Sequence, residues 1–119
     1  MALVPTLTIN DATTFSDAIS FSVTDSLTVT TPAQSLSTIA CATAGVNSII
    51  VPASASGCYL FVRHTANLSN VVLVENTDDT QFANLKAGEW MFLPHLSGSL
   101  GVQVQSAAAV VIEYAYWTI

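Results

Sequence analysis

Hydrophobic and polar residues alternate with a period of two along most of the chain, the pattern of half-buried β-strands. The alternation is clearest over residues 19–29, where Ser or Thr occupies every even position. On the odd positions stand Ile19, Phe21, Val23, Leu27 and Val29. This pattern predicts that the odd-numbered face lies in a core. Asp25 is the polar exception on that face, and it predicts a turn between two short strands because an unpaired buried carboxylate is costly.

Further strands are predicted wherever β-branched and aromatic runs end at turn residues. They cover residues 46–51, 58–65, 69–75, 80–85, 89–93, 100–105 and 109–117. Turns are predicted at 76–79 and at 86–89, the second a type II turn in which Gly88 supplies the positive φ. Short strands, closely spaced turns and no helical periodicity predict an all-β fold. We expect an antiparallel β-sandwich, jelly-roll-like, with about eight strands.

The domain organisation is predicted to be simple, because 119 residues fit a single domain. We expect residues 1–18 to form an N-terminal arm or edge strand and residues 19–119 to form one β-sandwich domain. The apolar residues of the arm are Leu3, Val4, Leu7 and Ile9. Two interpretations of the arm stay open: it pairs with a neighbouring subunit, or it is a strand of its own domain.

The composition combines high hydrophobicity with few charges. Hydrophobic residues make up 51% of the chain and charged residues 8%, and the mean hydropathy is +0.57. The longest apolar run, residues 107–112, is far shorter than the ~18 residues that cross a bilayer, so we do not expect a membrane protein. Surface polarity comes instead from 13 serines and 14 threonines. Because domains usually carry about a quarter of their residues as charges, we expect a partner or other copies of the chain, as a dimer or trimer, to cover much of this surface.

The charge balance excludes one class of ligand. The net charge is −6, and Arg63 and Lys86 are the only Lys or Arg residues. Binding to a phosphate backbone needs several cationic contacts, so we expect no nucleic-acid partner and no anionic membrane surface. The two cysteines, Cys41 and Cys58, are expected to be separate buried thiols rather than a disulfide.

Candidate sites for chemistry are weak. Glu75, Asn76, Asp78 and Asp79 could offer oxygens to calcium, but acids in a turn are ordinarily solvated. A zinc site would require the fold to bring together His64, His95, Cys41 and Cys58. No G-x-S-x-G motif is present, and neither histidine has an acidic neighbour in sequence. We therefore expect no enzymatic activity, no metal and no cofactor.

Aromatic residues alternate within the predicted strands and allow two interpretations. They are Tyr59, Phe61, Trp90, Phe92, Tyr114, Tyr116 and Trp117. Exposed rings could form a platform for carbohydrate, or the rings could lie in the core and at subunit contacts. The strands at 89–93 and 109–117 are apolar on both faces and must be covered on both sides, which favours subunit contacts.

Three segments resemble small β-structured virion proteins of tailed bacteriophages, of the capsid decoration (cement) type. They are Tyr-Leu-Phe-Val-Arg-His-Thr at 59–65, Leu-Lys-Ala-Gly-Glu-Trp at 85–90 and Val-Val-Ile-Glu-Tyr-Ala-Tyr-Trp at 110–117. The resemblance covers about half of the chain, and residues 1–57 show none. It implies a non-enzymatic protein that is made in the host bacterial cytoplasm and placed on the virion. There it would bind the major capsid protein on the head exterior and stabilise capsomer junctions.

A second hypothesis, from a different class, is a carbohydrate- or receptor-binding module of a tail or head fibre. Under the decoration hypothesis, we expect the capsid and subunit interface to comprise Leu3, Val4, Leu7, Ile9, Trp90, Phe92, Tyr116 and Trp117.

Overall fold

The computed structural model describes residues 2–10, 20–30, 32–41, 47–53, 57–96 and 101–119, with only the backbone at 32–35 and 94–96. Every regular element within these ranges is a β-strand. The chain forms two compact units, Met1–Thr30 and Thr31–Ile119. The predicted domain boundary after residue 18 falls in the segment 11–19, outside the described residues, and stays a prediction.

The described residues of the first unit form two small antiparallel sheets. Strand β1 (Ala2–Leu3) pairs with β4 (Leu27–Thr28), and β2 (Thr6–Asn10) pairs with β3 (Ser20–Thr24). Asp25 lies between β3 and β4, where its backbone N–H donates to the Pro5 carbonyl at 3.2 Å. Its carboxylate accepts the Ser26 backbone N–H at 2.7 Å. Two short strands flank Asp25 as predicted, but they do not pair with each other across a turn, since β3 pairs with β2 and β4 with β1.

The prediction that the odd-numbered face of residues 19–29 lies in a core is wrong for β3. Phe21 and Val23 are 44% and 58% exposed, whereas Val29 is buried. Alternation identifies the side chains that share a face, but a face becomes a core only when a second layer packs on it. All ten residues of β2 and β3 are exposed. Ile19 lies outside the described residues.

In its described residues, the second unit contains eight strands in two four-stranded antiparallel sheets. They are β5 (Pro32–Ala40), β6 (Ser48–Val51), β7 (Cys58–His64), β8 (Val72–Asn76), β9 (Gln81–Leu85), β10 (Trp90–Leu96), β11 (Val102–Ser106) and β12 (Val111–Thr118). The first sheet has the order β10-β7-β12-β5, and the second has the order β6-β11-β8-β9.

The pairing of these eight strands is nested. Strand β8 pairs with β9, β7 with β10, β6 with β11, and β5 with β12. One long antiparallel hairpin wrapped into two facing sheets produces this order, which is the jelly-roll topology. The predicted all-β, jelly-roll-like sandwich of about eight strands is confirmed.

The core lies between the two sheets and receives alternate residues from both. Leu60 and Val62 of β7 and Ile112 of β12 are fully buried in the first sheet, opposite Val74 and Val104 of the second. The residues between them in β7, such as Phe61 and Arg63, are more exposed. Each strand of this kind therefore turns one face inward and the other outward.

Two strands depart from the sequence prediction, and both are edge strands of the first sheet. Residues 33–45 lie outside the predicted strands, yet β5 pairs with β12 from Val111 opposite Ala40 to Trp117 opposite Pro32. Strand β10 was predicted to stop at Pro94, yet it runs to Leu96 with a register shift after Leu93. Proline is tolerated at the start of an edge strand and at irregular edge positions, because no ladder N–H is needed there.

The tight turn before β10 forms as predicted. The Glu89 N–H donates to the Lys86 carbonyl at 3.0 Å, and Gly88 has a φ of 83°. The Glu89 carboxylate also accepts the Lys86 backbone N–H at 2.7 Å. This turn sets the direction in which β10 leaves β9, and it places Trp90 at the first position of β10.

Candidate functional site

Three carboxylates, at the end of β8 and in the turn after it, accept hydrogen bonds from the protein: those of Glu75, Asp78 and Asp79. The buried Glu75 carboxylate accepts the side-chain amides of Gln103 at 2.9 Å and Gln105 at 2.8 Å. The Asp79 carboxylate accepts the same Gln103 amide at 2.8 Å. The Asp78 carboxylate instead accepts the Thr80 backbone N–H at 3.2 Å. The arrangement acts as a structural brace on the outer face of the second sheet, because the Glu75 carboxylate links two residues of β11 and shares the Gln103 amide with Asp79.

His64 is also engaged in structure. Its Nδ1 accepts the Ala66 backbone N–H at 2.9 Å, and its Nε2 lies 2.8 Å from the Asn70 carbonyl oxygen. The neutral tautomer with the proton on Nε2 satisfies both bonds, so the buried ring ties the loop after β7 to the strand. No group of three or more possible metal ligands occurs among the described residues. The side chain of His95 lies outside them.

The two cysteines are buried free thiols of the core. Burial raises the pKa of Cys41 to about 11 and also raises the pKa of Cys58. A thiol that stays protonated is a poor nucleophile and a poor metal ligand. Their contribution is therefore to packing.

The most distinctive surface is the outer side of the first sheet, which carries a concentration of rings. We call it the aromatic face, and it consists of Tyr59, Phe61, Trp90, Phe92 and Trp117. In the strand register, Phe92 lies opposite Phe61, and Trp117 lies opposite Tyr59. Because directly opposed residues of antiparallel strands point to the same side of a sheet, these rings share one surface.

The rings are accessible and partly ordered against one another. Trp90 is 54% exposed, and the other four rings are partly exposed. The rings of Tyr59 and Phe92 are inclined by only 6°, with centroids 6.4 Å apart. Trp90 borders two shallow depressions. The lining of the first depression consists of Trp90, Phe61, Arg63 and Gly88. The second lies between Trp90 and residues of β9 and the 86–89 turn.

An ion pair lies at one end of the aromatic face. An Arg63 guanidinium nitrogen is 3.6 Å from a carboxylate oxygen of Glu113, directly opposite it in the register. Exposed pairs of this kind contribute little to stability. Their effect is to cancel each other's charge, which leaves the aromatic face close to electrically neutral.

The eight residues predicted as an interface divide into three places. Trp90, Phe92 and Trp117 lie together on the aromatic face. Tyr116 lies on the opposite side of β12, packed against the core. Leu3, Val4, Leu7 and Ile9 belong to the first unit, on β1, just after it, and on β2. Their role as an interface stays a prediction.

Sequence reasoning left Tyr59 and Phe61 out of the predicted interface. The alternation within β7 does place them on one face with Arg63, opposite Leu60 and Val62. Both faces of β7 are apolar in sequence, however, so the pattern by itself does not say which of them is the inner one.

The chain matches no family model, no curated protein sequence and no solved structure. Among the described residues, no helix has the length and apolar character needed to span a membrane.

Proposed function

We propose that this chain is a structural virion protein of a tailed phage, a capsid decoration protein that binds the head exterior and stabilises capsomer junctions. The observation that carries the proposal is the aromatic face, an accessible and nearly neutral cluster of rings. Clusters of this kind are typical of protein interfaces, where aromatic residues are enriched and charged residues are depleted at the centre.

A second observation links the aromatic face to the resemblance. The three segments that resemble phage virion proteins form β7, the turn entering β10, and β12. These strands are neighbours in the order β10-β7-β12 and together carry all five rings. The segments of the resemblance are therefore contiguous in space, although up to 58 positions separate them in sequence.

The proposed mechanism is thermodynamic. A protein that binds the expanded shell, and not its immature or ruptured form, stabilises that shell by mass action. Many copies acting across neighbouring capsomers accumulate their individual contributions. Because the footprint is nearly neutral, the affinity should depend only weakly on salt.

Binding of the chain to purified expanded heads of the encoding phage tests the proposal. The Trp90→Ser variant removes the most exposed ring of the face, and Phe82→Ser removes a ring that is 40% exposed on β9 of the second sheet. If the Trp90 indole is buried against the capsid in the complex, its loss should weaken binding by roughly 10- to 100-fold. We expect that loss for Trp90→Ser and unchanged binding for the Phe82→Ser control.

Co-sedimentation, with copy number per particle by mass spectrometry, measures the result. The proposal predicts hundreds of copies on heads. Absence from particles, or equal loading by the Trp90→Ser variant, would contradict it.

The near-parallel rings of Tyr59 and Phe92 favour a second candidate function, carbohydrate binding by a tail or head fibre module. Sugar rings pack their C–H faces on exposed aromatic rings, and a few polar groups fix their orientation. Here Arg63 and Glu113 would supply those groups. Affinity electrophoresis in gels containing host surface polysaccharide tests this candidate. Retardation that free oligosaccharide abolishes, and that Trp90→Ser loses, would favour it over decoration.

A further inference from the structure

A cavity lies on the outer side of the second sheet, at the end where β8 begins and β11 ends. It has a volume of about 360 Å³, and its lining consists of Asn70, Val71, Leu73, Gln105, Ser106 and Ala107. Leu73 lies opposite Gln105 in the strand register, on the side of the sheet away from the buried Val74 and Val104. The cavity therefore belongs to the sheet that does not carry the aromatic face.

Hydrogen bonds within the protein hold two polar residues of the cavity and leave binding capacity on both. The Gln105 side-chain amide donates to the buried Glu75 carboxylate at 2.8 Å, which orients the amide and leaves its Oε1 as an acceptor. The Asn70 backbone carbonyl accepts the Nε2 hydrogen of His64 at 2.8 Å. The Asn70 side-chain amide, by contrast, makes no hydrogen bond to the described residues. The cavity thus offers one oriented acceptor and one amide that can both donate and accept.

The rest of the lining is aliphatic and uncharged. Val71, Leu73 and Ala107 contribute apolar surface, and the Ser106 hydroxyl donates to the Val71 carbonyl at 3.0 Å. None of the six lining residues carries a charge. Since a charged ligand would lose hydration without gaining an ion pair from these residues, the cavity favours a neutral ligand.

An acetamido group matches this set of contacts. It has a methyl group for the aliphatic side chains, an N–H that donates to Gln105 Oε1, and a carbonyl oxygen that accepts from the Asn70 side-chain amide. Cavities for small ligands begin at about 300 Å³, so this cavity has room for a ring beside the acetamido group. Sugar hydroxyls both donate and accept, and they can use the remaining oxygen of the Asn70 amide.

We propose that this cavity binds an N-acetylated sugar through its acetamido group, with Asn70 and Gln105 as the polar contacts. The inference goes beyond capsid decoration and does not depend on it. The cavity and the aromatic face lie on the outer sides of two facing sheets. A chain that is attached through the aromatic face therefore keeps this cavity available for a sugar.

NMR titration of the full-length, isotope-labelled chain with N-acetylglucosamine tests the proposal. A single sugar has few atoms to bury, so we expect a dissociation constant of about 1 mM. The backbone amide signals of Val71, Gln105 and Ala107 should shift, and saturation transfer to the sugar should be strongest at the acetyl methyl. Glucose has a hydroxyl in place of the acetamido group and should bind at least about tenfold more weakly.

A second ligand distinguishes a sugar from another source of the same group. Nε-acetyllysine carries the acetamido group on a flexible alkyl chain, which has no hydroxyls and loses more conformational freedom on binding. It should bind at least about fivefold more weakly than N-acetylglucosamine. Equal or tighter binding of Nε-acetyllysine would overturn a sugar as the ligand.

Two variants locate the site. Asn70→Ala removes a side chain that bonds to none of the described residues, so the fold should persist while the affinity falls at least about fivefold. Ala107→Phe fills the cavity and should abolish the signal shifts. The matched control, Ala87→Phe, makes the same substitution at an exposed alanine of the 86–89 turn and should bind as the wild type does.

Three results would overturn the proposal. The first is no signal shift at about 50 mM N-acetylglucosamine, far above the expected dissociation constant. The second is binding that both Asn70→Ala and Ala107→Phe retain. The third is a set of shifts confined to the aromatic face, which would support the carbohydrate candidate there and exclude this cavity as the sugar site.

Discussion

Replacing Glu75 by alanine tests which of two opposing electrostatic effects dominates on the outer face of the second sheet. Glu75 is 3% exposed, and its carboxylate accepts amide hydrogens from Gln103 and Gln105 at 2.9 and 2.8 Å. The two bonds stabilise the fold. Two effects oppose that contribution. The charge of Glu75 is buried, and the carboxylate of Asp79, which accepts the same Gln103 amide, repels it.

The magnitude follows from the partners that alanine would leave behind. Hydrogen bonds to a charged group contribute roughly 1.5–3 kcal/mol each. Gln103 would retain its bond to Asp79, and Gln105 is partly exposed and can bond to water. After the relief of desolvation and repulsion, we expect Glu75→Ala to lower the free energy of unfolding by about 2–3 kcal/mol.

The Glu75→Gln variant separates the two effects, because it keeps an acceptor oxygen but removes the charge. We expect it to cost about 1 kcal/mol or less. Urea unfolding at neutral pH, followed by tryptophan fluorescence, measures both variants, with the exposed Phe82→Ser variant as a control for nonspecific loss. If Glu75→Ala were neutral and Glu75→Gln stabilising, desolvation would outweigh the hydrogen bonds and the reasoning would be refuted.

Four further predictions concern the core and the loop before β11. A Cβ at Gly101 would collide with the Val51 carbonyl oxygen, so Gly101→Ala should cost about 1–3 kcal/mol in urea unfolding, and an unchanged midpoint would show that the loop yields freely. Leu60→Ala should cost roughly 2–5 kcal/mol because Leu60 is fully buried, and Phe61→Ala on the outer side of the same strand should cost less than half as much. Iodoacetamide should label neither Cys41 nor Cys58 in the folded chain at pH 8, and both after unfolding. Since burial raises the pKa of Cys41 from 9.0 to about 11, stability should be fully present below pH 9 and fall as the pH rises toward 11. A constant urea midpoint over that pH interval would contradict the shift.

The sequence by itself determined the local elements. Runs of β-branched and aromatic residues that end at turn residues identified β7, β8, β11 and β12. The demand for a positive φ identified the turn at Gly88, and the cost of burying a carboxylate identified the break at Asp25. Each of these features depends on residues that are adjacent or nearly adjacent in the chain.

Only the tertiary structure decided which faces are covered. Phe21 and Leu60 both lie on apolar faces of alternating strands, yet Phe21 is exposed and Leu60 is buried. Strand β5 has a weak pattern of its own and exists as a strand through its pairing with β12. The Glu75 brace likewise requires Gln103, 28 positions away. Alternation specifies which side chains share a face, whereas the layer that packs on that face comes from distant segments. Whether that second layer is present is therefore decided by the free energy of long-range pairing rather than by the local pattern.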